Sequence, residues 1–170
     1  MNDVPAIRLS GLTRRMGNQL VLRGVDLEVA AGRLVVLRGG NGAGKTTLLK
    51  VLATRLRPTG GSAQLFGHDV LKEAAEVRSR IGLLSVMGGS YPVLSARENL
   101  HIAADLSGKD RQGVEGLLDL VGLSSAADKF VRTYSSGMKK RLGLARLMLI
   151  DPDLWLLDEP YAALDDAGKR

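Results

Sequence analysis

Cysteine is absent from this 170-residue sequence, and histidine occurs only twice, at His68 and His101. The first absence excludes disulfides and thiolate metal sites, which suits a reducing compartment. The second leaves almost nothing from which to build a histidine metal site or a Ser-His-Asp triad. No run approaches the ~18 apolar residues that span a bilayer, so a role at a membrane would need a partner to supply the membrane part. Residues 1–10 carry Asp3 and Pro5 and have no long apolar core, unlike a signal peptide. The sequence shows no internal repeat, low-complexity segment or basic tail. What remains is 45% hydrophobic and 25% charged, the make-up of one globular domain with a real core. Lys and Arg number 24 against 18 Asp and Glu, for a net charge of +6. That balance suits nucleic acid or an anionic surface. The charges are scattered, however, with short runs at Arg14-Arg15 and Lys139-Lys140-Arg141, which favours an ordinary solvated surface.

Apolar periodicity places short strands at residues 7–12, 19–22 and 25–29, the last alternating with Asp26 and Glu28. Residues 34–37, Leu-Val-Val-Leu, form the continuous apolar run expected of a strand buried on both faces. A helix is expected over 45–55, a strand at 63–66, a helix at 72–79 and a strand at 81–84. Ser95 followed by Glu98 is a capping-box pattern for a helix that Gly108 stops. Residues 112–121 read as a further helix, and a long helix over 138–150 is capped by Ser135 or Ser136. Residues 154–157 form another apolar strand, in which Trp155 is expected to be core. Strands followed by functional loops, arranged around a block of helices, give an α/β protein with a mostly parallel core sheet. To this are added an N-terminal antiparallel β subdomain and an inserted helical subdomain, about residues 88–150.

Gly39-Gly40-Asn41-Gly42-Ala43-Gly44-Lys45-Thr46 fits G-x-x-x-x-G-K-[ST] at every fixed position. Small residues let several backbone N–H groups point at one anion, and the helix that follows adds its positive end. Lys45 supplies a full charge for the β- and γ-phosphates, the Thr46 hydroxyl can hold Mg²⁺, and Thr47 can reach the α-phosphate side. A chance Gly-rich turn would satisfy the same pattern. The strand expected before the loop and the helix expected after it are the context that argues for nucleotide phosphates.

The strand at 154–157 ends in Asp158 and Glu159. Asp158 can hold Mg²⁺, directly or through water, and Glu159 can polarise an attacking water as general base. Alone, this is as well read as a solvated acidic turn; together with the phosphate loop, the metal role is preferred.

These motifs together resemble the ABC ATPase family across nearly the whole chain. Residues 134–141, Tyr-Ser-Ser-Gly-Met-Lys-Lys-Arg, look like its LSGGQ signature, with Ser136 and Met138 replacing Gly and Gln. Residues 157–160 match its LDEP, and Ala163-Leu164-Asp165 its D-loop. The resemblance implies a P-loop NTPase fold and a head-to-tail pair of ATPase domains. In that pair Ser135 and Gly137 read the γ-phosphate of ATP held by the partner's phosphate loop. It also implies a multi-pass membrane permease as partner, a peripheral place on the cytoplasmic face of the membrane, and no nucleic acid. Within the family, residues 51–70, 80–85 and 94–100 look like the haem exporter ATPases of cytochrome c maturation and their ABC-2-type and multidrug relatives.

The sequence departs from the family pattern in three places. Met16 stands where an aromatic usually stacks on adenine; Met packs on a base more weakly. Met87 stands where a Gln touches Mg²⁺ and senses the membrane domain, and a thioether can do neither well. The sequence also stops at Arg170, before the family's switch His, so a C-terminally truncated single ATPase domain, residues 1–170, is expected. Arg97-Glu98 lies near the family's groove for a membrane-domain helix, or is simply a capped helix start. Two other readings stay open: a soluble ABC ATPase acting on ribosomes or nucleic acid, and a truncated module that binds ATP with little turnover.

Overall fold

A computed structural model describes residues 4–85 and 89–160. The chain divides into two compact units, Met1–Ile81 and Gly82–Arg170.

The first unit is built on an antiparallel sheet. Strands β1 (Ile7–Met16) and β2 (Gln19–Val29) form a hairpin turned by Gly17-Asn18, a two-residue connection of the kind that matches strand twist. β3 (Gly60–Leu65) pairs antiparallel with the other edge of β1, and the short β4 (His68–Asp69) pairs with β3, giving the order β2-β1-β3-β4. Alternate residues Ile7 and Leu9 are buried along β1, and Ala63 and Leu65 along β3, as expected where one sheet face covers a core. Between Leu9 and Leu12 the register shifts, so Leu12 stays on the buried face although it breaks the two-residue period. Arg23-Gly24 does not split β2 into the two strands expected; the ladder runs through it.

Helix α1 (Lys45–Leu52) buries Leu48, Leu49, Val51 and Leu52. It ends three residues earlier than expected, where Thr54 takes a left-handed φ of 56°. Helix α2 (Ala74–Arg80) buries only Val77. Residues 34–37 correct the sequence-based reading: they form no strand and all four are exposed, Leu34 by 91%. A buried strand needs ladder partners at its edges and cover on both faces. The sheet of this unit gives the segment neither, since its four strands pair only with one another.

Strand β5 (Ile81–Leu84) starts at the last residue of the first unit and runs into the second, and it pairs with β6 (Leu154–Leu157) as a two-stranded sheet. The second unit also holds helices α3 (Ala96–Ser107), α4 (Val114–Leu120) and α5 (Ser136–Ile150), joined by short 3₁₀ turns. Ser95 caps α3 as predicted: its side chain accepts from the Glu98 N–H at 3.2 Å, and Glu98 accepts from the Ser95 N–H at 2.7 Å. Gly108 closes α3 in the left-handed conformation. The helical core comprises Leu100, Ala104, Val114, Leu118, Leu142 and Ala145, all 1% exposed or less. Tyr134 joins this core and donates its hydroxyl to the Ala126 carbonyl at 2.6 Å, satisfying the one polar atom it brings. Trp155 is not core: it is 37% exposed, because β6 directs only Leu156 of its four residues inward.

Candidate functional site

The phosphate loop turns on Gly42 and Gly44, whose φ angles of 79° and 92° are left-handed. A Cβ added to Gly44 would lie 3.1 Å from both Leu22 Cδ2 and the Val21 carbonyl oxygen, so the loop closes against β2. The Ala43 N–H donates to the Gly40 carbonyl at 3.2 Å and tightens the turn. α1 then starts at once. Gly44 contributes no capping side chain and its first turn holds no acidic residue, so the positive end of this helix is left for an anion. α3, by contrast, caps itself with Ser95 and Glu98.

Lys45 curls back over the loop, donating from Nζ to the Gly39 carbonyl at 2.6 Å and the Gly40 carbonyl at 3.0 Å. A phosphate is a stronger acceptor than either carbonyl and would compete for the ammonium. Asn41, Ala43 and Thr46 accompany Gly39, Gly42 and Gly44 along the loop and the helix start. Thr46 is exposed and Thr47 half-buried. A cavity of about 390 Å³ opens between β2 and the loop, lined by residues 19–23, Val25, Gly42 and Ala43. The β2 wall escaped sequence reasoning; the tight Gly44 contact with Val21 and Leu22 exists only once the chain is folded. Met16, at the end of β1, is 50% exposed and is not among the residues lining this cavity.

In the second unit Asp158 follows β6, is 5% exposed, and its N–H donates to the Leu84 carbonyl at 2.9 Å. Glu159 is exposed, with a left-handed φ of 49°. The Lys140 ammonium donates to the Glu159 carbonyl at 2.5 Å. Ser135 caps α5 by accepting from the Met138 N–H at 3.2 Å, and Gly137 lies in the first helical turn. The cap is thus Ser135 rather than Ser136. Thr46 carries a hydroxyl in the first unit and Asp158 a carboxylate in the second, oxygen groups of the type that Mg²⁺ accepts.

Arg97 pairs with Asp128 at 2.9 Å and with Glu115, and Glu98 is held in the capping box, so both side chains serve the helical unit itself. His68 lies in β4 with Nδ1 3.0 Å from Glu73, and His101 lies on α3. Met87 and Ala163-Leu164-Asp165 fall outside the described residues.

Residues 22–162 match a protein-family model described as ABC transporter. The chain belongs to the ABC transporter family. The daunorubicin/doxorubicin resistance ATP-binding protein DrrA of Streptomyces peucetius is 41% identical over the whole of this chain and 53% of its own length. The bacitracin transport ATP-binding protein BcrA of Bacillus licheniformis is 38% identical over 95% of this chain and 53% of its own. The cytochrome c biogenesis ATP-binding export protein CcmA 2 of Cupriavidus metallidurans is 39% identical over 91% of this chain and 74% of its own. A solved ATP-binding subunit of an ABC transporter superposes with a TM-score of 0.86 at 27% identity, covering 96% of this chain and 70% of that one. The fold is accordingly the P-loop NTPase fold of ABC ATPases. These relatives include proteins named for drug resistance, for bacitracin transport and for cytochrome c biogenesis export. The chain spans about half the length of DrrA and BcrA.

Proposed function

We propose that this chain is the ATP-binding and ATP-hydrolysing part of an ABC exporter. The observation that carries this reading is the uncapped start of α1 behind the left-handed turn at Gly42 and Gly44, with Lys45 folded beside it. That is a cradle for a polyphosphate. Gly39, Asn41, Gly42, Ala43 and Gly44 supply backbone N–H groups, Lys45 the counter-charge, and Thr47 contacts the α-phosphate side. Thr46 and Asp158 would hold Mg²⁺, which would supply neutralisation of phosphate charge. Glu159 takes the proton of the attacking water, and Lys45 stabilises the charge that develops on the transferred phosphoryl.

One ATPase domain supplies only half of each site in this reading. Ser135 and Gly137, at the capped start of α5, present a hydroxyl and a backbone N–H to the γ-phosphate of ATP bound to a second copy or a homologous domain. No helix among the described residues is long and apolar enough to cross a membrane, which fits a peripheral subunit on the cytoplasmic face of a multi-pass permease. The relatives' names, covering daunorubicin/doxorubicin resistance, bacitracin transport and cytochrome c biogenesis export, point to export of a small organic molecule, with haem as one candidate. Met87, at the family's Gln position, lowers the rate or its coupling to the permease.

ATP binding by wild type and Lys45→Ala, followed by phosphate release from wild type and Glu159→Gln, tests the assignment. The expected result is weakened binding in the first variant, and intact binding with turnover lowered by ~10²-fold or more in the second. Full turnover by Glu159→Gln would overturn the base role. Co-purification with ribosomes or DNA instead of a multi-pass membrane protein would overturn the transport role.

A further inference from the structure

Lys139 and Lys140 are neighbours in sequence, yet they do different things. Lys139 is half-buried, whereas Lys140 is 2% exposed and is the largest side chain fully buried in the described structure. A buried ammonium is costly to desolvate and is kept where a specific contact requires it. The contact here is the Glu159 carbonyl, at 2.5 Å. Glu159 is also one of four non-glycine residues with positive φ among the described residues, a conformation that L-residues adopt only where surrounding contacts hold it. Its backbone is held on both sides: the preceding Asp158 N–H is bonded to Leu84 in β5, and its own carbonyl is bonded to Lys140 in α5. The carboxylate is left exposed, while the peptide units that aim it are fixed.

We propose that Lys140 is a positioning residue for Glu159, holding the backbone turn that points this carboxylate at the attacking water. The proposal rests on Glu159 being the general base. Lys140 lies one and a half turns beyond the Ser135 cap on the same helix. The α5 segment that presents Ser135 and Gly137 to a γ-phosphate therefore also fixes the base, and the two functions move as one rigid piece.

The test compares Lys140→Met, which keeps the straight chain and removes the donor, with Lys140→Gln, which keeps an N–H donor without charge, in the full chain. Lys140→Met is expected to lower kcat about 10-fold, with KM and the Kd for ATP within about twofold of wild type, and Lys140→Gln to recover part of the loss. On a Glu159→Gln background, Lys140→Met should remove nothing further, because both changes act through one group. Amide exchange at Asp158 and Glu159 should rise in Lys140→Met while that at residues 42–47 stays unchanged, a readout that needs no turnover. Wild-type kcat in Lys140→Met, losses that multiply in the double variant, unchanged exchange at Asp158 and Glu159, or loss of ATP binding along with turnover would each overturn the proposal. Full activity of Glu159→Gln would instead bring down the base assignment itself, and the exchange readout would still report on the Lys140 contact.

Discussion

Among single residues, Gly44 illustrates how sequence and geometry constrain each other. Its φ of 92° is ordinary for glycine and strained for any residue with a Cβ. A methyl group there would also press on Val21 and Leu22 at 3.1 Å. Gly44→Ala should therefore cost roughly 1–2 kcal/mol of stability and weaken ATP binding by more than that loss of folded protein explains, because the displaced loop no longer aims its N–H groups at one point. Denaturant melts and equilibrium ATP titration, done side by side, check both parts; unaltered affinity in a destabilised variant would show that the loop tolerates the shift. Met87 yields a second residue-scale prediction from chemistry alone: Met87→Gln should raise the ATPase rate of a dimerising protein, since an amide can donate to a water or ligate Mg²⁺ and a thioether cannot. An unchanged phosphate-release rate would mean that this position does not limit turnover.

At the scale of elements, the start of α3 and the arms of Arg97 carry the helical unit's dependence on pH. The Ser95 N–H bonded to Glu98 holds that carboxyl below the usual carboxylate range, and the Arg97 guanidinium does the same for Asp128. Arg111 does so for Asp105. Each group binds its proton more weakly folded than unfolded, so its contribution is complete above the unfolded value near 4 and is lost as pH falls through the lower folded values. Stability should fall on acidification below about pH 4, and Arg97→Met should flatten part of that fall. Ser95→Ala should cost about 1 kcal/mol at neutral pH. Urea melts at neutral pH and down a pH series, for wild type and both variants, decide this; identical pH slopes for Arg97→Met and wild type would remove Arg97 from the account. These caps were legible in sequence because capping is local, joining Ser95 to Glu98 and Ser135 to Met138, three residues apart in each case. The phosphate loop was legible for the same reason. Burial was not: residues 34–37 and Trp155 read as core because apolar character was taken for cover, and cover is supplied by other segments. Lys140 erred the other way, a charge read as solvated that folding encloses. The β2 wall of the cavity carries no motif at all, since it is defined only by what β2 lies against.

For the whole molecule, the net charge of +6 is not evenly spread. Residues 1–81 carry 13 Lys and Arg against 6 Asp and Glu, while residues 82–170 carry 11 against 12. The unit with the phosphate loop is thus the basic one, which favours capture of a polyanion by field as well as by contact. A head-to-tail pair would use this asymmetry, bringing the near-neutral signature end of one chain onto a basic unit whose charge ATP has already offset. Association should therefore depend on nucleotide. Glu159→Gln is expected to bind ATP and to hydrolyse it slowly, so with ATP and Mg²⁺ it should sediment as a dimer at concentrations where the nucleotide-free protein is a monomer. Ser135→Arg, which blocks the Ser135 side of the partner's γ-phosphate while leaving the chain's own phosphate loop intact, should bind ATP normally and stay monomeric. ATPase rate per chain should rise with protein concentration in wild type and stay flat in Ser135→Arg. A rate per chain independent of concentration in the wild type, with monomeric Glu159→Gln at saturating ATP, would show that the loop, Asp158 and Glu159 complete a site within one chain, and the shared-site reading of Ser135 and Gly137 would be abandoned.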